Sequence, residues 1–397
     1  MTRIYKNSTE LMQLHGKPIY MADMADACLL GRLNLFLQGD TGSGKTQLAS
    51  DAMADFPGRS LFVLGRNDMD VRQLFQQINL EKLKTARSSA EVQELTDKVD
   101  YNLMVVDELP NCVPAVRAQL FNLFDGYIEI NGKKYDIGKG YSVGIATGNI
   151  GQKFTESSNE LGRALKDRMH VIIDTDHYRP TPSDTLEILA GNTNPRVEFA
   201  ENESRACEII GQSDALRAKA VPFDKLVIAN YLLHGLDYCT VGGQEASKTR
   251  LKDAWPNKVD NNQQGSDEAL VLPVSVRAAK SIVRLSQALD ELATRKGGKI
   301  DPEWGSFDSM TQAYKFVSAY SGVLNEAAVQ ENYNGDRYSA MNAIIEATKG
   351  EFDRQADNIG AGIEMARTGK KNAKILGKFT GRWGFMRDTL EGLVGGK

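Results

Sequence analysis

The sequence has few of the residues that form redox, metal and membrane sites. Its four cysteines form no CxxC pair, so we expect reduced thiols in a cytoplasmic protein rather than a disulfide framework. Its four histidines form no HExxH motif, so a catalytic zinc held by the protein has no support in the sequence. No apolar run approaches the roughly 20 residues of a membrane helix. The start of the chain lacks an apolar signal core, so neither membrane insertion nor export is expected.

Neither sign of charge dominates the composition. Lysine and arginine total 48 against 52 aspartates and glutamates, which gives a net charge of −4. This balance disfavours a protein that binds nucleic acid through its overall charge, although it does not exclude a local basic patch. The 41% of hydrophobic and 25% of charged residues are typical of globular proteins and exclude disordered and fibrous classes. A chain of 397 residues is long enough for two or three domains.

Short apolar runs alternate with amphipathic helical patterns from residue 33 to about 178. Nearly continuous apolar runs are typical of parallel strands that are buried on both faces, so we predict an α/β fold with a parallel sheet covered by helices. After residue 182 the pattern becomes helical. We therefore predict an α/β domain with a lead-in at 1–182, a helical domain at 183–296 and a helical extension at 297–397. The predicted strands are Leu33–Leu37, Ser60–Leu64, Leu103–Val106, Tyr141–Thr147 and His170–Asp174.

Several segments outside the strands also have interpretable patterns. Apolar residues at helical spacing and nearby capping residues predict four helices. A stretch rich in Gly, Asn, Gln and Lys predicts a long polar loop at 240–268, and the charged segment between Leu64 and Tyr101 is interpreted as largely helical. The predicted helices are Tyr20–Leu30, a helix capped by Ser183, 221–236 and 274–296.

The strongest motif is GDTGSGKT, which directly follows the strand LNLFL and precedes a helical segment. Glycines let such a loop turn its backbone N–H groups toward a triphosphate, and the helix N-terminus adds a favourable dipole. The lysine would neutralise the β- and γ-phosphates, and the threonine hydroxyl would ligate Mg²⁺. The predicted nucleotide-binding residues are Gly39, Asp40, Thr41, Gly42, Ser43, Gly44, Lys45 and Thr46.

A second motif lies further along the chain, where the apolar run LMVV ends in Asp107 and Glu108. Ligands bind at the carboxyl edge of an open α/β sheet, so these acids are expected beside the phosphates. Asp107 would hold the magnesium ion, and Glu108 would polarise the attacking water. A third strand ends in ATGN, and the amide of Asn149 is expected to orient that water or to contact the γ-phosphate.

The passage from Val105 to Asn149 resembles the MoxR-type branch of the AAA+ ATPases. This branch has an acidic strand end, a helix, a hairpin and a strand that ends in asparagine. The hairpin is visible as Tyr127–Ile130 and Lys134–Ile137, which flank the two-residue turn signal Asn131-Gly132. The resemblance covers roughly residues 15–296 and implies an AAA+ P-loop domain followed by a helical lid.

The resemblance also assigns roles to three polar residues. Asn149 matches the family's sensor 1 residue. Arg168, in ALKDRMH, matches the arginine that reaches into the neighbouring subunit's active site, with Arg163 as the alternative. Arg277, in LPVSVRAAK, matches the sensor 2 arginine of the lid.

The function implied is Mg²⁺-dependent ATP hydrolysis by a homo-hexameric ring that remodels a protein client. In this family the partner is often a von Willebrand A-domain protein. An alternative from another class is a nucleic-acid motor or initiator that uses the basic segment 367–387. Three aromatic residues in that segment would be available for base stacking. They are Phe379, Trp383 and Phe385.

Overall fold

The computed structural model divides into two compact units. The first contains residues 1–220 and 287–301, and the second contains residues 221–286 and 302–397. The residues described are 3–78, 93–130, 132–149, 166–191, 194, 196–201, 203–241, 243–251, 268–302 and 305–395. These units do not follow the three predicted segments, because residues 183–220 belong to the first unit. The assignment of 183–296 as a lid and of 297–397 as an extension stays a prediction.

The first unit is built on a five-stranded parallel sheet with two-stranded hairpins beside it. Across the sheet the strand order is β11-β3-β10-β7-β4, so the five predicted strands are confirmed, with ends shifted by up to two residues. The strands of this unit are β1 (Glu10–Leu14), β2 (Lys17–Tyr20), β3 (Leu35–Gln38), β4 (Ser60–Leu64), β5 (Gln76–Ile78), β6 (Gln93–Leu95), β7 (Leu103–Asp107), β8 (Tyr127–Ile130), β9 (Lys133–Asp136), β10 (Val143–Gly148) and β11 (Val171–Asp174).

Helices cover this sheet, as expected for strands that are apolar along their length. Leu103, Val105 and Val106 of β7 are fully buried, because β7 has a hydrogen-bonded neighbour on each side and helix α2 packs against it. The predicted helix Tyr20–Leu30 is confirmed as α1. The helices of this unit are α1 (Met21–Gly31), α2 (Lys45–Met53), α3 (Pro114–Phe124), α4 (Pro182–Gly191) and α5 (Ala206–Ala218).

The register of the sheet brings the ends of its strands to one edge. Gly148 of β10 and Asp174 of β11 both pair with Gln38, the last residue of β3. On the other side of β10, Ala146 pairs with Val106, the residue before Asp107. The loop after β3 and the acids that end β7 are therefore separated only by the width of β10.

The second unit is mostly helical. The predicted helix 221–236 is confirmed as α6, which continues as a π-helical turn at Tyr231–Gly235, and the predicted helix 274–296 is confirmed as α8, whose last residues belong to the first unit. Among the described residues, no helix is both long and apolar enough to cross a membrane. The elements are α6 (Phe223–Asn230), β12 (Tyr238–Val241), β13 (Gln244–Ser247), α7 (Lys248–Leu251), α8 (Val276–Arg295), α9 (Gly305–Ser318), α10 (Glu326–Tyr333), α11 (Arg337–Thr368), α12 (Ala373–Leu376) and α13 (Gly384–Gly395).

Two broad interpretations of the sequence were wrong for the residues that the structure describes. The described part of 65–101 is not largely helical, because it contains the strands β5 and β6 and two short 3₁₀ turns, while 79–92 lie outside the described residues. The predicted polar loop at 240–268 instead begins with the β12–β13 hairpin and α7, and residues 252–267 lie outside the described part. The second error was avoidable, since Val241 pairs with Gln244 and the Gly-Gly dipeptide between these residues in the sequence is itself a hairpin signal.

Two local boundaries also differ from the prediction. Ile130 pairs with Lys133, so β9 starts one residue earlier than predicted, because the turn between them takes only two residues. Helix α4 is capped by Thr181 rather than by Ser183. The Thr181 hydroxyl accepts from the Asp184 N–H (3.2 Å), and the Asp184 carboxylate accepts from the Thr181 N–H (2.8 Å), which is a reciprocal capping box.

Asp55, which follows α2, is a fully buried carboxyl group. Neither of its carboxylate oxygens has a hydrogen-bond partner within the described part of the chain. Burial raises the pKa of Asp55 to about 6, while Arg205, whose Nη1 lies 3.9 Å from Oδ1, acts in the opposite direction. Asp184 is the opposite case, since hydrogen bonds from Ser8 and Thr181 overcome the effect of burial and lower its pKa to about 2.

We expect Asp55→Asn to stabilise the protein in a pH-dependent way. The pKa of folded Asp55 lies above that of an unfolded aspartate, so its ionised form destabilises the fold increasingly from about pH 4 to 6. Two pKa units correspond to about 3 kcal/mol, and we expect a gain of about 1–3 kcal/mol at pH 8 and little at pH 4. Urea unfolding at both pH values measures this. Asp184→Asn is the control of opposite sign, and a gain for Asp55→Asn that is independent of pH would contradict the assignment.

Candidate active site

A glycine-rich loop joins β3 to the N-terminus of α2. Its three glycines have φ angles of +143° at Gly39, +80° at Gly42 and +82° at Gly44, which favour glycine. Space is limited as well, since a Cβ at Gly39 would lie 2.3 Å from Thr175 Oγ1 and one at Gly44 would lie 2.9 Å from the Tyr5 ring. The predicted strand, loop and helix arrangement of a phosphate-binding loop is therefore present.

Lys45 lies over this loop with its side chain buried. Its Nζ donates to the carbonyl oxygens of Gly39 (3.1 Å) and Asp40 (2.6 Å) and to Ser43 Oγ (3.1 Å). Burial lowers the pKa of Lys45, and four nearby carboxylates oppose this effect. A cation held at the loop in this way can neutralise the charge of a bound phosphate. The four carboxylates are Asp176, Asp107, Asp40 and Asp174.

The residues after β11 support the loop from a second side, which the sequence interpretation missed. Asp176 Oδ2 accepts a hydrogen bond from the Asp40 N–H (2.9 Å). The hydroxyl groups of Thr175 and Ser43 lie 2.8 Å apart. The signal for this support was the position of Thr175 and Asp176 directly after a predicted strand, where parallel strands place their ends at a shared edge.

The acids at the end of β7 contact the loop directly. Asp107 Oδ1 accepts hydrogen bonds from the hydroxyl of Thr46 (3.0 Å) and from that of Thr147. The Thr147 hydroxyl in turn accepts from the N–H of Glu108 (3.0 Å), and Glu108 Oε2 accepts from Asn111 Nδ2 (2.7 Å). The predicted pairing of the P-loop threonine with the acidic strand end is thus present, and Thr147 is an additional member.

Glu108 has an unusual backbone conformation. Its φ is +55°, in the left-handed region that costs a residue other than glycine about 1–2 kcal/mol. Such conformations persist where surrounding contacts fix them, and they occur preferentially at functional sites. Here the left-handed residue directly follows β7 and precedes a short 3₁₀ turn at Leu109–Asn111.

The chemistry of these oxygen atoms fits Mg²⁺ bound together with a nucleotide. Mg²⁺ prefers oxygen ligands and is usually held by one or two carboxylates, waters and substrate phosphates. Thr46 and Asp107 supply a hydroxyl and a carboxylate oxygen 3.0 Å apart. Within the described ranges, no group of three or more His, Cys, Asp or Glu residues is suited to hold a metal by itself. The site therefore fits a metal ion that arrives with phosphates rather than one held by protein alone.

Asn149 lies at the carboxyl ends of the parallel strands, and Arg168 lies at their amino ends. Asn149 directly follows β10, at the edge that carries the loop and Asp107. Arg168 precedes β11, and its carbonyl accepts from Nδ2 of Asn34, the residue before β3 (3.0 Å). The length of β3, about 13 Å at 3.3 Å per residue, therefore separates the Arg168 backbone from the loop of its own chain.

The side chain of Arg168 is held within the first unit. Its Nε donates to Asp125 Oδ2 at 2.8 Å, and its guanidinium carbon lies 4.9 Å from the centre of the Phe121 ring. About a fifth of the side chain is exposed (21%), so the group is accessible at the surface. Arg163 lies outside the described residues. Arg277 is the second residue of α8 and belongs to the second unit, so its predicted role at the nucleotide stays a prediction.

Two of the three aromatic residues in the C-terminal basic segment are not accessible for base stacking. Phe379 and Trp383 are buried, at 0% and 2% exposure. Trp383 lies against the rings of Tyr231, Phe352 and Phe385, with ring centres 5.1, 5.1 and 5.7 Å apart. These rings form part of the core of the second unit. Packing therefore explains Phe379 and Trp383, whereas Phe385 is only partly buried and the nucleic-acid alternative stays a prediction.

Several cations of this segment also have acidic partners. Arg367 pairs with Glu364 at 2.9 Å, and Lys371 pairs with Glu391 at 3.0 Å. The Arg382 guanidinium donates to the Tyr231 hydroxyl at 2.9 Å. Exposed pairs of this kind contribute little to stability, but they lower the net positive charge that the segment offers to a polyanion.

Comparison with known proteins agrees with this geometry. Residues 34–169 match the family described as "AAA domain (dynein-related subfamily)". The chain is similar in structure to a "putative ATPase" from Cytophaga hutchinsonii ATCC 33406, with a TM-score of 0.54 and 15% sequence identity, over 82% of this chain and 88% of that one. At this identity the similarity is one of fold. No curated protein matches the chain significantly. Residues 34–169 therefore match an AAA domain, and the chain has the AAA+ fold.

Proposed function

We propose that the protein is a Mg²⁺-dependent ATPase that hydrolyses ATP by in-line attack of water on the γ-phosphate. One observation carries this proposal. The hydroxyl of Thr46, in the P-loop, donates to the carboxylate of Asp107 at 3.0 Å, and Glu108 is the next residue in the chain. This contact unites the phosphate loop, the metal carboxylate and a candidate general base in one site.

The residues of the site have different roles in hydrolysis. The loop N–H groups and Lys45 bind the phosphates, and Thr46 and Asp107 would hold the metal ion. When bound, Mg²⁺ neutralises charge on the phosphate oxygens. Glu108 accepts the proton of the attacking water, and Asn149, at the same edge, orients that water. The proposal of ATP rather than GTP as the substrate rests on the resemblance to the AAA+ ATPases.

The position of Arg168 supports action on a neighbouring subunit. Because the length of β3 separates it from the P-loop of its own chain, Arg168 has to act on the phosphate of another chain if it acts on one at all. A head-to-tail ring would satisfy this requirement at every site. We propose a homo-hexamer, as in the MoxR-type branch that the sequence resembles. In that branch the output is remodelling of a protein client, with a von Willebrand A-domain protein as the proposed partner.

Lys45→Ala is expected to abolish nucleotide binding, because it removes the cation that lies over the loop. Titration of a fluorescent ATP analogue in the presence of Mg²⁺ measures this, with circular dichroism to confirm the fold. Lys378→Ala is the control, because it removes an exposed lysine of the C-terminal basic segment. Unchanged affinity in Lys45→Ala would overturn the P-loop assignment. Lost affinity in Lys378→Ala would instead implicate the basic segment in nucleotide binding.

A further inference from the structure

Thr147 occupies a central position in the sheet beside Asp107. It is the fifth residue of β10, which lies between β3 and β7. Thr147 pairs with Leu37 of β3, and the preceding residue, Ala146, pairs with Val106 of β7. Thr147 is only 2% exposed, so its hydroxyl has to find its hydrogen-bond partners within the protein.

The partners of this hydroxyl fix the direction of both hydrogen bonds. An ionised carboxylate only accepts, so Thr147 donates its single hydroxyl proton to Asp107 Oδ1. Its oxygen then accepts from the N–H of Glu108 at 3.0 Å. The hydroxyl therefore connects the side chain of the metal carboxylate to the backbone of the candidate general base.

A second contact holds the Glu108 peptide group. The N–H of Gly65, directly after β4, donates to the carbonyl of Asp107 at 2.7 Å. A Cβ at position 65 would lie 2.5 Å from the Glu108 carbonyl oxygen, so only glycine fits there without a shift. Thr147 and Gly65 reach the segment Asp107–Glu108 from the two strands that flank β7. Together they fix the peptide group that precedes Glu108, the residue with the left-handed φ of +55°.

We propose that Thr147 is a positioning residue that orients Asp107 and Glu108 jointly, so that metal binding and general-base catalysis depend on one hydroxyl group. This inference rests on the proposed function, because it gives a role in the same site to a residue for which neither the motifs nor the resemblance assigned one. Groups that orient metal ligands typically affect metal affinity or activity by 10–100-fold when they are removed.

The test compares Thr147→Val, which keeps the branched shape but lacks the hydroxyl, with Thr147→Ser, which keeps the hydroxyl. For Thr147→Val we expect kcat to fall by about 10–100-fold and the Mg²⁺ concentration for half-maximal binding of a fluorescent ADP analogue to rise by about 10-fold. Thr147→Ser should stay within about 3-fold of wild type in both measurements. If Thr147 had a purely structural role, Thr147→Val would not cause a change in Mg²⁺ dependence that Thr147→Ser avoids.

Thr348→Val is the matched control, since Thr348 of α11 is also 2% exposed but its hydroxyl has no hydrogen-bond partner within the described part of the chain. It should leave both measurements unchanged. If wild type hydrolyses ATP and Thr147→Val keeps the wild-type kcat and Mg²⁺ dependence, the positioning role is overturned while the proposed function stands. If wild type does not hydrolyse ATP, the proposed function fails and the Mg²⁺ titration alone decides: a shift supports the role of Thr147 and no shift overturns it. Thr147→Ala replaces Thr147→Val should the valine variant not fold.

Discussion

Arg168→Ala is expected to bind ATP almost normally and to hydrolyse it about 10³–10⁵-fold more slowly, the range that is typical of arginine fingers in nucleotide hydrolases. The guanidinium would stabilise charge that develops on the γ-phosphate in the transition state, so its loss affects turnover rather than binding. Since the length of β3 separates Arg168 from its own P-loop, the arginine would act on the next subunit. Steady-state phosphate release and titration of a fluorescent ATP analogue measure the two effects.

Mixed rings distinguish this role from a structural one. Rings of Arg168→Ala and Lys45→Ala subunits should regain part of the activity, because an intact P-loop then faces an intact arginine at some sites. Asp125→Asn is the matched control, since it removes the intrachain partner of Arg168, 2.8 Å away, but leaves the arginine. It should keep turnover within about 3-fold, as expected for an ion pair near the surface. Mixed rings that form but stay inactive at every ratio would contradict action between subunits, and Arg163 would then be tested in the same way.

The core of the site could be predicted because its signals are local. The glycines of GDTGSGKT indicate its backbone conformation, the apolar run of β7 ends directly at Asp107, and that of β3 ends two residues before Gly39. Parallel pairing then places these ends at one edge without further information. The register confirms this reasoning, since Gly148 pairs with Gln38 and Ala146 pairs with Val106.

The supporting residues could not be predicted because their roles depend on contacts between distant segments. Thr147 lies inside a motif that the sequence indicated, yet its role appears only when β10 lies beside Asp107. In the sequence, Gly65 is like any other glycine after a strand. Only the structure shows that a Cβ at this position would lie 2.5 Å from the Glu108 carbonyl oxygen. The spacing of residues in the sequence does not indicate either contact.

The C-terminal segment shows the opposite case, in which one local pattern is compatible with two different structures. Aromatic residues near lysines and arginines are compatible with base stacking and equally with a core covered by charged side chains. Burial makes Phe379 and Trp383 unavailable for stacking, whereas Phe385 is only partly buried. The sequence alone does not distinguish aromatic residues that stack on bases from aromatic residues in a core.

Glu108→Gln is expected to separate ATP binding from ATP hydrolysis. The glutamine carbonyl can still accept the hydrogen bond from Asn111 Nδ2, and the contacts of the Glu108 backbone with Thr147 are unaffected. The neutral amide cannot accept a proton from water, so the loss falls on the chemical step. General-base catalysis typically contributes about 10²–10⁴-fold to the rate, and we expect turnover to fall by that factor.

The measurement that tests the account most directly is the rate of phosphate release from Mg²⁺-ATP by wild type and Glu108→Gln at equal, saturating occupancy. Occupancy is fixed by titration of a fluorescent ATP analogue, and Glu129→Gln, an exposed glutamate on β8, serves as the control. The account predicts turnover by wild type and Glu129→Gln and a fall of at least about 10²-fold in Glu108→Gln. Equal turnover in wild type and Glu108→Gln, or no turnover by wild type, would contradict it.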